Sequence, residues 1–216
     1  MPTSTRAGRF IVFEGIDGAG TTTQVQRYSQ HVRRMRRLVH ITREPSDGPV
    51  GALLRLALAG RTTFGSAHLA QTMALLFAAD RLDHGTSEIM PFLRDGAVVL
   101  SDRYDLSSLA YQWASAGQEA TGDFCDWLRS LNRFARRPDI TVVLDVSPDK
   151  AEQRRRERHG AVELYEVASL QAKLAELYRD AEKLMPGDHI VHVAGDQPLD
   201  AVSAAVVEVL DPIIKR

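Results

Sequence analysis

Gly15, Gly20 and Thr22 have the spacing of a phosphate-binding loop within Gly15-Ile-Asp17-Gly18-Ala19-Gly20-Thr21-Thr22-Thr23. In such a loop the glycines let backbone N–H groups curl round a phosphate, and the hydroxyl after the second glycine holds Mg²⁺. The pattern also calls for a lysine that bridges the outer phosphate oxygens, and Thr21 stands in its place. The only lysines are Lys150, Lys173, Lys183 and Lys215, all remote in sequence. A replacement cation is therefore expected to be an arginine. Taken alone, the stretch also reads as an ordinary glycine-containing turn between a strand and a helix, so residues further along must decide.

The elements around the loop have the right order. Phe10 to Phe13 is a short apolar run suited to a buried strand, and Gln24 to Leu38 carries apolar residues at helical spacing. Strand-like runs and longer helical patterns then alternate to the end of the chain, which predicts a parallel sheet with helices on both faces. The predicted strands are Phe10–Glu14, Val39–Thr42, Ala97–Ser101, Ile140–Val146 and Ile190–Val193. The predicted helices are Thr22–Leu38, Val50–Ala59, Ala67–Leu93, Ser107–Ala116, Phe124–Phe134, Pro148–Arg158, Ala168–Leu184 and Ala201–Leu210. Ser147-Pro148-Asp149 offers a hydroxyl cap, a first-turn proline and an acid at the positive end of the helix dipole.

Composition excludes several classes. At 216 residues the chain suits one α/β domain, 1–216, and no apolar run reaches membrane-spanning length. Met1 to Gly8 lacks the apolar core of a signal peptide, so a cytoplasmic location is expected. A net charge of −1 argues against nucleic-acid binding through global positive charge. The Arg33, Arg34, Arg36, Arg37 cluster, with no interleaved aromatics, reads as a solvated helix face. Cys125 is the single cysteine; it forms no internal disulfide and is expected to be a buried, inert thiol.

Five further stretches follow the loop in order: Thr42-Arg43-Glu44-Pro45, Leu76-Phe77-Ala78-Ala79-Asp80-Arg81, Ser101-Asp102-Arg103-Tyr104 with Ser107-Ser108-Leu-Ala-Tyr111-Gln112, Leu144-Asp145-Val146-Ser147-Pro148, and Arg154, Arg156 and Arg158 leading to Glu163-Leu-Tyr165-Glu166. Each is weak alone, but in this order and spacing they resemble the thymidylate kinase family over nearly the whole chain. The resemblance implies a P-loop NTPase three-layer fold with a five-stranded parallel sheet and a short lid at about 154–166. It also implies transfer of the γ-phosphoryl group of ATP to dTMP with Mg²⁺, in a homodimer that binds neither nucleic acid nor membrane.

Residue roles follow from the same resemblance. Gly15, Gly18, Ala19, Gly20, Thr21, Thr22 and Thr23 would form the nucleotide loop, with Thr22, Asp17 and Asp102 around the metal. Asp17 is open to a second reading, because Asp-Gly is also a common turn pair. Arg81 and Arg103 resemble a two-armed clamp on the acceptor phosphate, a planar-fork task suited to arginine. Phe77 resembles the aromatic that stacks on the base, although a lone Phe on an apolar helix is more often core, so this role rests on the family match. Arg43, Glu44 and Pro45 would shape the nucleoside pocket, while Ser108, Tyr111 and Gln112 would contact base and sugar. Arg154 and Arg158, four apart on one helix face, would reach one ligand together. Glu163 and Glu166 match an acidic pair of the lid, and Leu164 falls where some relatives place another arginine.

The lysine-free loop leaves two expectations. The chain is a dTMP kinase in which Arg154 or Arg158 supplies the missing charge, or a nucleotide-binding protein with little or no kinase activity.

Overall fold

The computed structural model describes residues 7–117, 120–157 and 168–215. Five strands, β1 (Arg9–Glu14), β2 (Val39–Arg43), β3 (Val98–Asp102), β4 (Ile140–Asp145) and β5 (Ile190–Ala194), form one parallel sheet in the order β2-β3-β1-β4-β5. All five predicted strands are present within a residue or two of their expected bounds.

These runs are apolar at successive positions because the sheet is covered on both faces. Within β1, Ile11 and Phe13 enter a large cluster with Val25, Tyr28 and Leu109, whereas Phe10 and Val12 enter a smaller one with Val99 and Tyr104. Strand periodicity of two thus sends alternate side chains into separate cores. Register aligns the carboxyl ends: Arg43 pairs with Asp102, Phe13 with Asp102, and Glu14 with Val143. Residues expected to do chemistry therefore leave the sheet along one edge, where open α/β folds place ligands.

The helices are α1 (Thr21–Arg34), α2 (Pro49–Leu58), α3 (Leu69–His84), α4 (Met90–Arg94), α5 (Asp105–Ser115), α6 (Gly122–Leu131), α7 (Pro148–Glu157), α8 (Ala168–Arg179), α9 (Ala181–Leu184) and α10 (Leu199–Ile214). Pro148 opens α7 as its sequence predicts. Several bounds differ from expectation for local reasons. The expected helix to Leu38 stops at Arg34, because Arg36 takes a left-handed conformation (φ 56°). Its N–H donates to Arg33 O (2.9 Å) and that of Arg37 to Val32 O (3.3 Å), a Schellman cap made without glycine. The stretch Ala67–Leu93 is not one α-helix: a 3₁₀ turn at Ser66–His68 precedes α3, and a π turn at Gly85–Ile89 separates α3 from α4. The expected Ala168–Leu184 helix divides at Asp180.

Cys125 is buried and free, as expected. The arginine cluster corrects one expectation. Arg33, Arg34 and Arg36 are exposed, but Arg37 is buried and donates to Ile214 O and to Ala7 O (3.0 Å). It caps the carbonyl end of α10, where a cation complements the helix dipole.

Candidate active site

The loop between β1 and α1 is held in shapes that require glycine. Gly18 has φ 91°, and a Cβ there would lie 2.4 Å from Ala151 O on α7. Gly20 is the N-cap of α1 at φ 98°. Gly20 to Thr23, at the N-terminal end of α1, line the cleft beside the loop, and no acidic residue occupies the helix's first turn, so the positive end of its dipole is a ready site for an anion. Thr21 is buried at the start of α1. The exposed Thr22 hydroxyl donates to the Asp102 carboxylate at the end of β3.

Helix α7 lies across this loop. Arg154 donates to Ala19 O (3.1 Å) and Gly195 O (2.9 Å), and its Nη1 is the atom closest to Gly20's side-chain position. Arg155, which the sequence did not single out, donates to Asp17 O. Arg156 turns to solvent and pairs with Glu152. Arg154 and Arg156 diverge as residues two apart on a helix must. Arg158, Glu163, Leu164 and Glu166, and with them most of the expected lid, lie outside the described residues.

Two clefts open along the sheet edge. One, of about 430 Å³, is lined by Gly18, Gly20, Thr21, Thr22 and Thr23 with Arg43, Asp102 and Arg154. The other, of about 170 Å³, has apolar walls from Pro45, Leu58 and Phe77, and polar groups from Ser108, Tyr111 and Gln112. Asp17, Glu44 and Arg103 line both, so the clefts meet there.

Arg103 occupies the junction in a left-handed backbone conformation (φ 75°). Nη2 donates to Asp17 Oδ1 (2.7 Å); Nη1 donates to Gly15 O (2.6 Å), Tyr178 Oη (3.1 Å) and Ser107 Oγ (3.2 Å). The guanidinium also sits over the Tyr111 ring, 5.4 Å from its centroid. Asp17 is held on its other side by Gln171, which donates to Oδ2 (2.9 Å) and accepts from the Asp17 N–H (3.2 Å).

Arg81 is placed differently. It is 1% exposed and lines neither cleft; Nη1 donates to Asn132 Oδ1 (2.6 Å), and Nη2 donates to Glu44 Oε2 (2.6 Å) and Ser108 Oγ (2.7 Å). The structure therefore does not bring Arg81 and Arg103 together as one clamp. Arg81 stands behind the wall of the smaller cleft and fixes two residues that form it. His84 adds to that wall, with Nδ1 3.3 Å from Glu44 Oε1 and Nε2 2.7 Å from Thr42 Oγ1. The Glu44–Pro45 peptide is cis.

Of the three expected metal ligands, Thr22 and Asp102 are in contact, whereas Asp17 is engaged by Arg103 and Gln171. Among the described residues no group of three or more His, Cys, Asp or Glu side chains gathers to hold a metal. A hydroxyl and one carboxylate nevertheless suit Mg²⁺, which keeps several waters and takes its remaining oxygens from phosphates.

Sequence reasoning missed Glu14, Ser107, Gln171, Tyr178 and Asn132 as site residues. Glu14 did carry a signal, a charged residue closing an apolar strand immediately before Gly15. Gln171 and Tyr178 on α8 carried none.

A parallel sheet, a glycine loop entering a helix and two joined clefts at the carboxyl edge define a P-loop α/β phosphotransferase. The thymidylate kinase family pattern matches residues 13–206, and the chain belongs to that family. It is 37% identical over 209 residues to a probable thymidylate kinase of Thermococcus kodakarensis, covering 95% of this chain and 98% of that one. A probable thymidylate kinase of Pyrobaculum aerophilum is 39% identical over 209 residues with the same coverage. One from Thermococcus gammatolerans is 38% identical over 213 residues, covering 95% of this chain and all of the relative.

Proposed function

We propose that this chain transfers the γ-phosphoryl group of ATP to dTMP, giving ADP and dTDP. The observation that supports this most directly is the meeting of an apolar-walled cleft and a phosphate loop at one arginine, Arg103. Phe77, Pro45 and Leu58 provide a slot for a planar base, and Ser108, Tyr111 and Gln112 line its polar side. The acceptor's phosphate then lies at Arg103 and the ATP phosphates at Gly15–Thr23.

An oxygen of the acceptor phosphate attacks the γ-phosphorus, the bond to the β-bridging oxygen breaks, and the electron pair leaves with ADP. The attacking oxygen is already anionic, so no general base is required, and the protein's task is positioning and charge neutralisation. Arg103 holds the acceptor side. Arg154 is the described cation nearest Gly20 and takes over the charge that Thr21 lacks, with Asp17 keeping Arg103 aligned. Thr22 and Asp102 would hold Mg²⁺, which shields the β- and γ-phosphate charge when bound.

A nucleotide-binding protein without turnover is the second reading, favoured by Thr21 alone. ADP release from Mg-ATP separates the two. The kinase reading expects turnover with dTMP that exceeds the no-acceptor rate and the rates with dUMP, CMP and AMP. Binding of dTMP without turnover would support the second. We also propose a homodimer through the α3–α4 surface, where Leu75, Leu82, Met90 and Phe92 are exposed; sedimentation at a dimer's mass would bear this out. A cytoplasmic site of action accords with the lack, among the described residues, of any helix long and apolar enough to cross a membrane.

A further inference from the structure

The mechanism leaves the buried carboxyl of Glu14 unused. Glu14 closes β1, is 0% exposed and directly precedes Gly15. Its Oε1 accepts from Tyr104 N–H (2.8 Å) and Ser107 N–H (3.1 Å). Helix α5 has no side-chain cap of its own at Tyr104, so a carboxylate from the neighbouring strand performs that role. Its Oε2 accepts from Ser107 Oγ (2.5 Å) and Tyr178 Oη (3.0 Å). These two hydroxyls are the ones that accept from Arg103 Nη1.

The direction of these bonds matters. Each hydroxyl has one proton, and a hydroxyl that gives it to Glu14 turns an oxygen lone pair to Arg103. The two hydroxyls, 2.8 Å apart, also hydrogen-bond to each other, so with Glu14 they form one connected network. Burial, and next the Glu14 charge, hold the Tyr178 hydroxyl well above its ordinary pKa, so it stays a donor. Glu14 thus ties together the start of the glycine loop, the corner between β3 and α5, and α8. That corner contains the left-handed Arg103, a conformation a non-glycine residue holds only when its surroundings enforce it.

We infer that Glu14 is a positioning residue that, as the carboxylate, orients the Ser107 and Tyr178 hydroxyls and through them fixes Arg103 at the junction of the two clefts. The inference rests on the dTMP kinase reading for its kinetic consequences, though not for its geometry. Charged and titratable groups facing this cluster are Arg103, Asp17 on the loop, Tyr111 on α5 and Tyr178 on α8. Burial raises Glu14 to about 7, with Arg103 and the Ser107 and Tyr104 donors pulling the other way. Protonation on going below neutral pH therefore removes one acceptor and loosens Arg103.

Glu14→Gln keeps shape but must donate from its amide, which conflicts with the hydroxyl protons. Tyr178→Phe removes one bridging hydroxyl. For the full chain at pH 8 and saturating Mg-ATP, Glu14→Gln should raise KM for dTMP about ten-fold while KM for ATP moves less than two-fold. Tyr178→Phe should raise the dTMP KM about three-fold, and the double variant should be no worse than Glu14→Gln. Equal rises in both KM values, an unchanged dTMP KM or additive effects would overturn the inference; if Glu14→Gln fails to fold, a wild-type dTMP KM in Tyr178→Phe would do so. A ligand-free readout separates this from the kinase reading: the Arg103 side-chain N–H signal in ¹⁵N-labelled protein, assigned by its loss in Arg103→Lys. It should shift with a midpoint near pH 7. A signal that does not move with pH overturns the inference even in an active kinase, whereas a wild type inert toward dTMP that still shows the shift overturns only the kinase reading.

Discussion

The two clefts are built on opposite plans. Behind the smaller one, the Glu44–Arg81 ion pair has side chains 2% and 1% exposed and is closed in by Asn132, Ser108 and His84. Around the larger one, Thr22 is exposed, Arg43 pairs with Asp47 in solvent, and Arg154 reaches the loop from a helix whose end adjoins residues 158–167. On the proposed reading, recognition of the acceptor rests on a packed, dry frame, while phosphate handling rests on long side chains at an open surface. A buried pair is costly to break because the remaining charge is stranded, whereas solvent screens a loss at the open cleft. The first region should therefore fail through stability and the second through rate.

The largest effect should come from Arg81→Ala, which strands Glu44 as a buried charge. A loss of about 3–5 kcal/mol is expected, seen as a fall in Tm of roughly 10 °C. An Arg81→Ala protein with unchanged Tm would break the contrast, since the pair would then be no frame at all.

Next is Arg103→Ala, at the junction. Removing a preorganised charge there should lower kcat/KM for dTMP by roughly 10² to 10³, with a Tm shift smaller than that of Arg81→Ala. Measuring both quantities on the same two variants sharpens the comparison, for it sorts each arginine by which number it moves.

Glu14 links the two regions, and its signature is in pH. Its pKa is raised from 4.5 to about 7 in the folded chain. Between those values the unfolded chain gives up the proton while the folded chain keeps it, so stability falls as pH rises through the window, by about 3 kcal/mol for this group. Glu14→Gln removes that dependence. The Tm of the variant relative to wild type should therefore climb from pH 4.5 to pH 8 in thermal melts, and a flat difference would show that Glu14 ionises normally.

Legibility in the sequence followed the range of the interactions. The strands were readable because Phe10–Phe13, Val98–Leu100 and Val142–Leu144 are apolar wherever both faces are covered. The loop was readable because Gly18 and Gly20 hold conformations other residues avoid. The end of α1 was not, because Arg36 takes the left-handed position that glycine usually marks. The direction of Arg81 was not readable either: one turn after Phe77 on α3, it is drawn inward by Glu44 and Asn132, residues from distant segments. Gln171 and Tyr178 reach Asp17 and Glu14 across more than 150 residues, a distance no local pattern encodes.

The smallest of these effects bears on the lysine that the loop lacks. If Arg154 supplies the missing charge, Arg154→Ala should lower kcat by roughly 10²-fold with little change in Tm, because its partners are two carbonyl oxygens at a partly exposed site. Thr21→Lys places an ammonium at the start of α1, where the pattern expects it. In the Arg154→Ala background it should recover most of the lost rate, while in the wild type it should add little, because the position would already be served. Single-turnover rates of the four proteins decide this. Equal gains from Thr21→Lys in both backgrounds would mean that the two cations act independently, and that the open cleft works with less charge than the general phosphate-loop pattern implies.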